Sequence, residues 1–435
     1  MNIHPFPSKH GLGRLCGIAT GFVAFAALMT NATSATFTAV ALSRQKAVVS
    51  NGQTLHFGSF GQPALNDNGN ATFYTTVYGP GVSSNTNAAI ISRIKGKFKL
   101  AAREGVPQAV NGLGTVVLQS MTTNPLINKK SLVFWSGTYE TPQQGTFNTV
   151  YSFANPHGTS NGFCTVINTQ VGSEPIADFN NKTNISLLAL DPTSINDPLT
   201  VFRINPSAII GIVSVGDTII GLPLGTTYTN FGVPSIDEKN NVYFVANASG
   251  TAAAYDGIWY GKTGDPDPLV LINQLAPGAN GLSARFTAFS DSPCASPRGA
   301  LCAFAATAGG TTGIWVVNVK TGVITNVVIN GSPVTNLTGS TLSQIQPPAI
   351  NDAGLTAFLA HTSVAGTSVL GLFTAKDPDS VQKVVAVGDT VLVKGTNAKV
   401  TDIRFTQLGG LNKSGKVICT LSFDNRTSGV FIITP

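Results

Sequence analysis

The segment Ile350-Asn351-Asp352-Ala353-Gly354-Leu355-Thr356-Ala357-Phe358 places a polar, glycine-containing stretch between two apolar runs. Asn and Asp tolerate left-handed backbone conformations and bond to nearby main-chain groups, while Gly adopts a positive φ without steric cost. Two apolar runs joined in this way predict a β-hairpin. Clear copies of the segment begin at Leu65, Ile236 and Leu411, and degenerate copies lie around Asn128, Asn180 and Ser296.

A second motif, Gly-apolar-aromatic, follows each hairpin by roughly 20 residues. It reads Gly257-Ile258-Trp259, Gly313-Ile314-Trp315, Gly371-Leu372-Phe373 and Gly429-Val430-Phe431, with looser copies that end at Ile91, Tyr151 and Phe202. The third residues of these copies are separated by 60, 51, 57, 56, 58 and 58 positions. The chain therefore contains a tandem repeat of about 57 residues, and such a period is typical of solenoids and propellers.

A third motif is a strand that ends in Gly-Asp-Thr, at residues 212–218 and 384–390. With the hairpin and the Gly-apolar-aromatic strand, it gives four strands in each of about seven units. This pattern predicts an all-β fold, a β-propeller of seven four-stranded blades. A β-solenoid is the alternative, although its coils are usually shorter. Phe37 and Phe431 match the same strand, so one copy is surplus unless the two termini share a blade.

The composition supports the all-β prediction. Charged residues make up only 11% of the chain, whereas hydrophobic residues make up 43%, and there are 46 Gly and 24 Pro. Amphipathic surface helices need Glu, Lys and Arg on their solvent face, so this chain is poor in the residues that build them. Short strands joined by many turns suit the same composition.

The N-terminus has the order of a secretory signal peptide. Lys9 and Arg14 precede an uncharged stretch from Leu15 to Met29, and small residues follow as far as Ala35. The uncharged stretch is shorter than the roughly 20 residues that a transmembrane helix needs. We therefore predict a signal peptide over residues 1–35 and a single repeat domain over 36–435. The predicted location is extracellular or periplasmic, with no membrane span after cleavage.

The hairpin motif also carries a family resemblance. The pattern Asn-x-x-Gly-x-x-Ala-Phe, matched by Asn351, Gly354, Ala357 and Phe358, resembles the tandem NxxGxxAF repeats of bacterial exported proteins. The resemblance covers nearly all of residues 36–435. It implies export and a propeller-like repeat fold. It implies no chemistry, so no functional residues are carried over from that family.

Cysteine spacing predicts one disulfide bond. Cys294 and Cys302 are symmetric about Arg298, so a hairpin that turns at this residue would place the two thiols opposite each other. Disulfides are common in exported proteins. Cys16 falls in the predicted signal peptide, and Cys164 and Cys419 are interpreted as buried apolar residues.

Four acidic residues are weak candidates for a Ca²⁺ site. Asp265-Pro266-Asp267 and Asp377-Pro378-Asp379 follow the aromatic strand in two repeats, and Ca²⁺ prefers six to eight oxygen ligands. The alternative is that Asp-Pro simply forms a turn. The same alternative is preferred for Asp217 and Asp389 of the Gly-Asp-Thr motifs. No other cofactor is predicted.

No catalytic constellation is recognisable. His56, His157 and His361 lie in three different repeats and form no metal-binding or nucleophile-activating motif. Asp352-Ala353-Gly354 only begins like the Asp box of sialidases, and Trp259 and Trp315 are interpreted as core residues. A basic run, Arg93, Lys95, Lys97 and Lys99, is predicted to share one face of a strand, as a solvated face or an anion-binding patch.

The sequence therefore predicts a non-catalytic binding or scaffold protein that presents loops on a propeller. Its ligand would be a saccharide or a surface protein, and no nucleic-acid-binding motif is present. The alternative is an extracellular carbohydrate-active enzyme, a hydrolase or lyase, with acids from several blades meeting at the central channel.

Overall fold

The structure, a computed structural model, describes residues 35–435 except 51–52, 111–113, 122–123, 142–144, 155–177, 192–193, 195–197, 206, 251–254, 282 and 365–366. These residues belong to one compact unit, Ser34–Pro435. The predicted signal peptide lies outside the described residues except for Ala35, and so do Cys16, His157 and Cys164.

The unit is a β-propeller of seven antiparallel sheets, which confirms the predicted fold. The first blade contains β2 to β6, which span Lys46–Ser50, Gln53–Leu65, Ala71–Tyr78, Ala88–Ile94 and Lys97–Arg103. The second contains β7 to β11, which span Pro107–Val110, Gly114–Met121, Leu126–Ile127, Val133–Thr141 and Gly145–Ala154. The third contains β12 to β15, which span Asp178–Phe179, Ile185–Leu190, Leu199–Asn205 and Ala208–Ser214.

The remaining blades repeat this plan. The fourth contains β16 to β20, which span Thr227–Phe231, Ser235–Ile236, Val242–Ser249, Gly257–Gly261 and Asp267–Leu271. The fifth contains β21 to β25, which span Phe286–Phe289, Cys294–Ala295, Leu301–Ala308, Thr311–Asn318 and Ile324–Ile329. The sixth contains β26 to β30, which span Leu342–Ser343, Ala349–Ile350, Thr356–Val364, Thr367–Ala375 and Gln382–Ala386. The seventh contains β31 to β34, which span Thr390–Val393, Thr396–Arg404, Val417–Phe423 and Ser428–Thr434. The one helix among the described residues is a single 3-10 turn, Ser84–Thr86.

Both chain termini contribute to the seventh blade. β1, Thr36–Leu42, pairs antiparallel with β34, with Phe37 opposite Ile433, and forms the outermost strand of that sheet. The copy of the aromatic motif at Phe37 is therefore not an eighth blade. Pairing the first strand with the last closes the ring through main-chain hydrogen bonds.

Within a blade, the hairpin motif joins the innermost strand to the second one. In the fourth blade the innermost strand is divided into β16 and β17, which both pair with β18, while β19 and β20 follow outward. The inner strand thus leads to the turn motif, and the strands that end in Gly-Asp-Thr lie at the outer edge. Residues just before each turn motif therefore lie nearest to the propeller axis.

The Gly-apolar-aromatic motif builds the core of each blade. The side chains of Trp259, Trp315 and Phe373 are fully buried, as predicted for the two tryptophans. The motif glycine is required because a Cβ at Gly313 would lie 2.5 Å from the carbonyl oxygen of Val328 on the outer strand. The strands approach closely there because the pairing shifts register at the next residues.

Candidate functional site

The first four residues of the seven hairpin turns at the inner strands have one common backbone shape, and the fifth turn contains one more residue than the other six. The first residue of each turn caps it, as where Asn351 Oδ1 accepts hydrogen bonds from the main-chain N–H of Ala353 at 3.0 Å and of Leu355 at 3.1 Å. The fourth residue has a positive φ in every copy: Gly69, Ser131, Thr183, Asn240, Gly299, Gly354 and Gly415. The degenerate motifs around Asn128 and Asn180 are therefore the same turn as the clear ones, and the motif at Ser296 is this turn with one additional residue.

The first residues of these turns surround the axis and are named here the turn ring, in which direct hydrogen bonds join five of the seven neighbouring pairs. Its members are all buried: Asn66, Asn128, Asn180, Asp237, Ser296, Asn351 and Asn412. Asn66 Nδ2 donates to the carbonyl oxygen of Asn128 at 2.8 Å, and Asn412 Nδ2 donates to that of Asn66 at 3.5 Å, which joins the last blade to the first. Equivalent bonds run from Asn128 to Asn180, from Asn180 to Asp237, and from Asn351 to Asn412.

Acidic residues at the second turn position hold neighbouring blades together. Asp67 Oδ1 accepts from the main-chain N–H of Lys413 at 3.0 Å. Asp352 Oδ1 accepts from that of Arg298 at 2.7 Å. Glu238 likewise accepts from the main-chain N–H of Asn181 at 3.1 Å. The acids of the Asn-Asp-x-Gly motif therefore have a structural role between blades.

Two positions before the turn ring, a polar side chain again bonds to the next blade. Asp178 Oδ2 accepts from Ile236 N–H at 2.9 Å. In the next blade, Ser235 Oγ accepts from Ala295 N–H at 3.1 Å. Cys294 occupies the same position in the fifth blade. Its thiol is buried, and this burial raises its pKa to about 12.

Asp178, on the innermost strand of the third blade, is an acid with a strongly shifted pKa. Burial raises the pKa of this carboxyl to about 6, and the charge of Glu238 on the next blade adds to the rise. Two main-chain hydrogen bonds, from Ile236 and Phe179, oppose it because they favour the charged form. Burial also raises the pKa of Glu238. Asp178, Glu238 and Asp67 of the first blade border the same cavity, so three carboxyls from separate blades lie at one end of the axial channel.

A second cavity lies farther along the axis from the turn ring. Its volume is about 720 Å³, including space open to solvent. The polar side chains that line it come from five blades and are amides and hydroxyls: Gln62, Asn124, Ser292, Gln346, Thr406 and Gln407. Apolar lining comes from Leu126, Val233, Pro347, Leu359, Phe405 and Leu408. No described residue that lines this cavity is charged.

The polar lining has a simple relation to the turn ring. Gln62, Asn124 and Ser292 lie four positions before the ring residues of their blades, and Gln346 and Gln407 lie five positions before theirs. The cavity therefore lies along the inner edges of the blades, on the side of the turn ring from which the chain enters the turns. Polar residues four or five positions before the turn motif were the signal in the sequence that could have predicted this cavity. They were not among the candidate site residues.

A groove extends from this cavity away from the axis. It shares Gln62 and Asn124 with the cavity and reaches Tyr74 and Arg404. The guanidinium of Arg404 is held by Asp402, with Nε 3.2 Å from Oδ2, and by a bond of 3.4 Å from Nη1 to the carbonyl oxygen of Phe60. The cavity and groove together present amides, hydroxyls, three aromatic rings and one cation to a ligand.

The predicted Ca²⁺ ligands lie in exposed turns. Asp377 Oδ1 accepts from the main-chain N–H of Asp379 at 3.1 Å, as in the alternative turn interpretation. Asp265 and Asp267 border a separate cavity with Asp217 of the preceding blade, so the structure brings these three acids together. Among the described residues, no three His, Cys, Asp or Glu side chains are grouped closely enough to hold a metal ion.

The aspartates of the Gly-Asp-Thr motifs cap turns, as the sequence analysis preferred. Asp217 Oδ2 accepts from the main-chain N–H of Ser214 at 2.7 Å, and Asp389 Oδ2 accepts from that of Ala386 at 2.8 Å. Asp389 is also paired with Lys383 Nζ at 2.8 Å.

The predicted disulfide is wrong. Cys294 and Cys302 are both free thiols in the structure, and both are buried. The turn between them contains Gly299 at φ 64° and one more residue than the symmetric hairpin that was assumed. As a result, Cys302 pairs with Ala295 and Cys294 pairs with Ala303. Adjacent strand residues point to opposite faces, so the two thiols enter different packing layers.

The basic run is also not a single strand face, which corrects the prediction. β5 ends at Ile94 and β6 begins at Lys97, so Lys95 lies at the tip of a hairpin. Arg93 is opposite Phe98, and its guanidinium donates to the carbonyl oxygen of Ala39 at 3.2 Å. Lys97 and Lys99 are exposed on β6.

The fold and these features define a seven-bladed β-propeller with an axial cavity and a hydrogen-bonded turn ring. Among the described residues, no helix is long and apolar enough to cross a membrane. The chain belongs to the family described as "Family of unknown function (DUF7453)", which matches residues 20–155 and 157–434. No curated protein matches the sequence.

Several solved structures are similar to this chain in fold. An oligogalacturonate lyase in complex with manganese is 11% identical at a TM-score of 0.45, over 92% of this chain and 98% of that one. An ulvan lyase of a new polysaccharide lyase family is 10% identical at a TM-score of 0.41, over 91% and 94% of the two chains. The propeller of Dos1 is 8% identical at a TM-score of 0.40, over 90% and 95%.

Proposed function

We propose that this protein is an exported, non-catalytic binding protein whose ligand occupies the axial cavity. The observation that carries the proposal is the chemistry of the cavity lining: amides, hydroxyls and apolar side chains, with no charged group among the described residues. Asp67, Asp178 and Asp352 favour the same function because they bond to the main chain of neighbouring blades.

The proposed ligand is a neutral, hydroxyl-rich molecule, namely an uncharged oligosaccharide. Amide groups both donate and accept hydrogen bonds, so they match sugar hydroxyls in either direction. Apolar side chains such as Pro347 and Phe405 provide surface for the apolar face of a sugar ring. The groove toward Tyr74 and Arg404 gives room for further sugar units.

Titration calorimetry of residues 35–435 with neutral hexasaccharides of glucose, mannose and xylose tests this proposal. The double variant Gln62→Ala/Gln346→Ala removes two side-chain amides of the cavity. We expect its dissociation constant to rise about tenfold, because each lost hydrogen bond contributes about 0.5–1.5 kcal/mol. Gln382→Ala, at an exposed position on β30, is the matched control and should bind like the unchanged protein.

The failure of every neutral hexasaccharide to bind at millimolar concentration would overturn the proposed ligand. Equal weakening by the control variant would overturn the proposed site. Export has its own test, since protein purified from the culture fluid or periplasm should begin near Thr36. A full-length chain retained in the cytoplasm would contradict that part of the proposal.

A carbohydrate-active enzyme is the second candidate, because Asp178 has a pKa of about 6 and shares a cavity with Glu238 of the next blade. A carboxyl with a pKa in this range suits general acid catalysis. If this candidate is correct, the protein will cleave an oligosaccharide, and Asp178→Asn will abolish cleavage without weakening binding. Binding without turnover, unchanged in Asp178→Asn, supports the binding function instead.

A further inference from the structure

Cations that are scattered along the sequence meet on one face of the propeller. The turns of the second to fifth blades each have a basic third residue: Lys130, Lys182, Lys239 and Arg298. Lys129, Lys413 and Lys416 occupy other positions of the same turns, and all seven of these side chains are exposed. Because the first four residues of the seven turns share one backbone shape, their third residues project from the propeller in equivalent directions.

This face has a higher density of net positive charge than the rest of the chain. The seven turns, 36 residues in all, contain these seven cations and four acids, a balance of +3. The whole chain of 435 residues has a formal net charge of +6. One of the four acids, Asp237, is fully buried. The other three acids bond to the main chain of the neighbouring turn.

Two of the cations are partly neutralised, and the others are not. Arg298 Nε lies 3.6 Å from Asp352 Oδ2 while its side chain remains 83% exposed. The charge of Lys182 lowers the pKa of Glu238, which indicates that these two side chains are close. Among the described residues, Lys129, Lys130, Lys239, Lys413 and Lys416 form no ion pair. Lys95 adds a further cation beside the first turn, because its main-chain N–H donates to Asn70 Oδ1 at 3.0 Å.

The turns favour one class of anionic partner. They contain no aromatic residue, so the face has no platform for stacking bases, as single-stranded nucleic-acid sites have. The most exposed large apolar side chains, Leu224 at 93% and Ile220 at 73%, lie instead in the loop between β15 and β16. A surface that inserts into a membrane needs apolar anchors beside its cations. Cations surrounded by Asn, Ser and Thr suit a hydrated polymer of charged sugars.

We propose that the turn face of this propeller binds an anionic polysaccharide, through the exposed cations of the second, third and fourth blades and of the seventh. This interaction is independent of the axial cavity, which lies on the other side of the turn ring. The carboxylates or sulfates of the polymer bind to ammonium groups that remain in contact with water. The affinity therefore falls steeply as salt is added.

The test uses residues 35–435 with two anionic probes, alginate for carboxylates and dextran sulfate for sulfates, and with neutral dextran as the uncharged control. The triple variant Lys130→Gln/Lys182→Gln/Lys239→Gln removes three cations from the turn face. Lys46→Gln/Lys394→Gln/Lys399→Gln removes three exposed cations from other loops and strands, so the two variants have the same net charge. Affinity for labelled probes is measured at several salt concentrations.

We expect the turn-face variant to bind an anionic probe about tenfold more weakly, with a shallower salt dependence, while the control variant changes less than about twofold. Both variants should keep the native thermal midpoint, because every changed side chain is exposed. The difference between the affinities for alginate and for dextran sulfate shows whether the protein prefers carboxylates or sulfates. Neutral hexasaccharide binding should be unchanged in the turn-face variant, so the two proposals can fail separately.

Three outcomes would overturn the inference. The first is failure of the unchanged protein to bind either anionic probe at low salt. The second is an equal loss of affinity in the two triple variants, which would show that the affinity depends only on the net charge of the protein. The third is stronger binding to single-stranded DNA or to phosphatidylglycerol vesicles than to either polysaccharide, which would assign the face to another class of partner.

Discussion

Removal of one side chain from the turn ring should destabilise the whole propeller. Asn66 is 4% exposed, and its Oδ1 accepts from the main-chain N–H of Asn68 at 3.0 Å and of Asn70 at 2.9 Å. Its Nδ2 donates to the carbonyl oxygen of Asn128 at 2.8 Å and to Ser131 Oγ at 3.3 Å. Asn66→Ala removes all four bonds, leaves the buried N–H of Asn70 without its acceptor, and leaves the carbonyl of Asn128 only its bond from the Ser131 N–H.

The magnitude follows from the buried partners. Each buried polar group left without a hydrogen bond costs about 1–3 kcal/mol. The buried N–H of Asn70 loses its acceptor and the carbonyl of Asn128 loses one of its two bonds, so we expect Asn66→Ala to lower the free energy of unfolding by about 3 kcal/mol. Asn68→Ala, in the same turn, is the matched control. It loses one exposed bond, from Nδ2 to Lys129 O at 2.7 Å, and should cost less than about 1 kcal/mol.

Equilibrium unfolding in urea measures this difference. Tryptophan fluorescence and circular dichroism must give coincident transitions before a single free energy is assigned. If the two variants unfold at the same urea concentration, the turn ring does not stabilise the fold and the reasoning is refuted. If Asn66→Ala shifts the midpoint alone, the hairpin motif is established as the element that joins the blades.

Two further outcomes are expected. Because burial raises the pKa of Asp178 from 3.8 to about 6, the folded state holds this proton more tightly than the unfolded state. The contribution of this carboxyl to the free energy of unfolding is therefore largest below about pH 4. It falls by at most about 3 kcal/mol as the pH rises through 6. Asp178→Asn should remove this loss. If the variant and the unchanged protein have the same profile of unfolding free energy against pH, the assignment of the pH dependence to Asp178 is contradicted. Gly299→Ala should prevent stable folding, because the added Cβ would collide with the Asp237 carboxylate at a residue with φ +64°. Gly354→Ala, at φ +77° with its nearest atom, Leu301 Cδ1, at 3.6 Å, should cost only about 1 kcal/mol in a thermal melt. Similar melting temperatures for the two glycine variants would refute the steric argument.

The sequence by itself determined the fold, because local chemistry repeats along the chain. Turn residues such as Asn351 and Gly354 produce the same hairpin wherever they recur, and the spacing of the aromatic strand counts the units. Local chemistry also accounts for the exposed Asp-Pro turns and for the caps formed by Asp217 and Asp389. These features depend on residues a few positions apart, so they can be read without knowledge of the tertiary structure.

Only the tertiary structure decided how distant repeats meet. The turn ring joins Asn66 to Asn412 across 346 positions, and no local pattern predicts that contact. The register of Cys294 and Cys302 depended on one additional turn residue, which reverses the face of every side chain beyond it. The cations of the turn face and the amides of the cavity each come from several blades. They come together because closing the ring places equivalent positions around one axis.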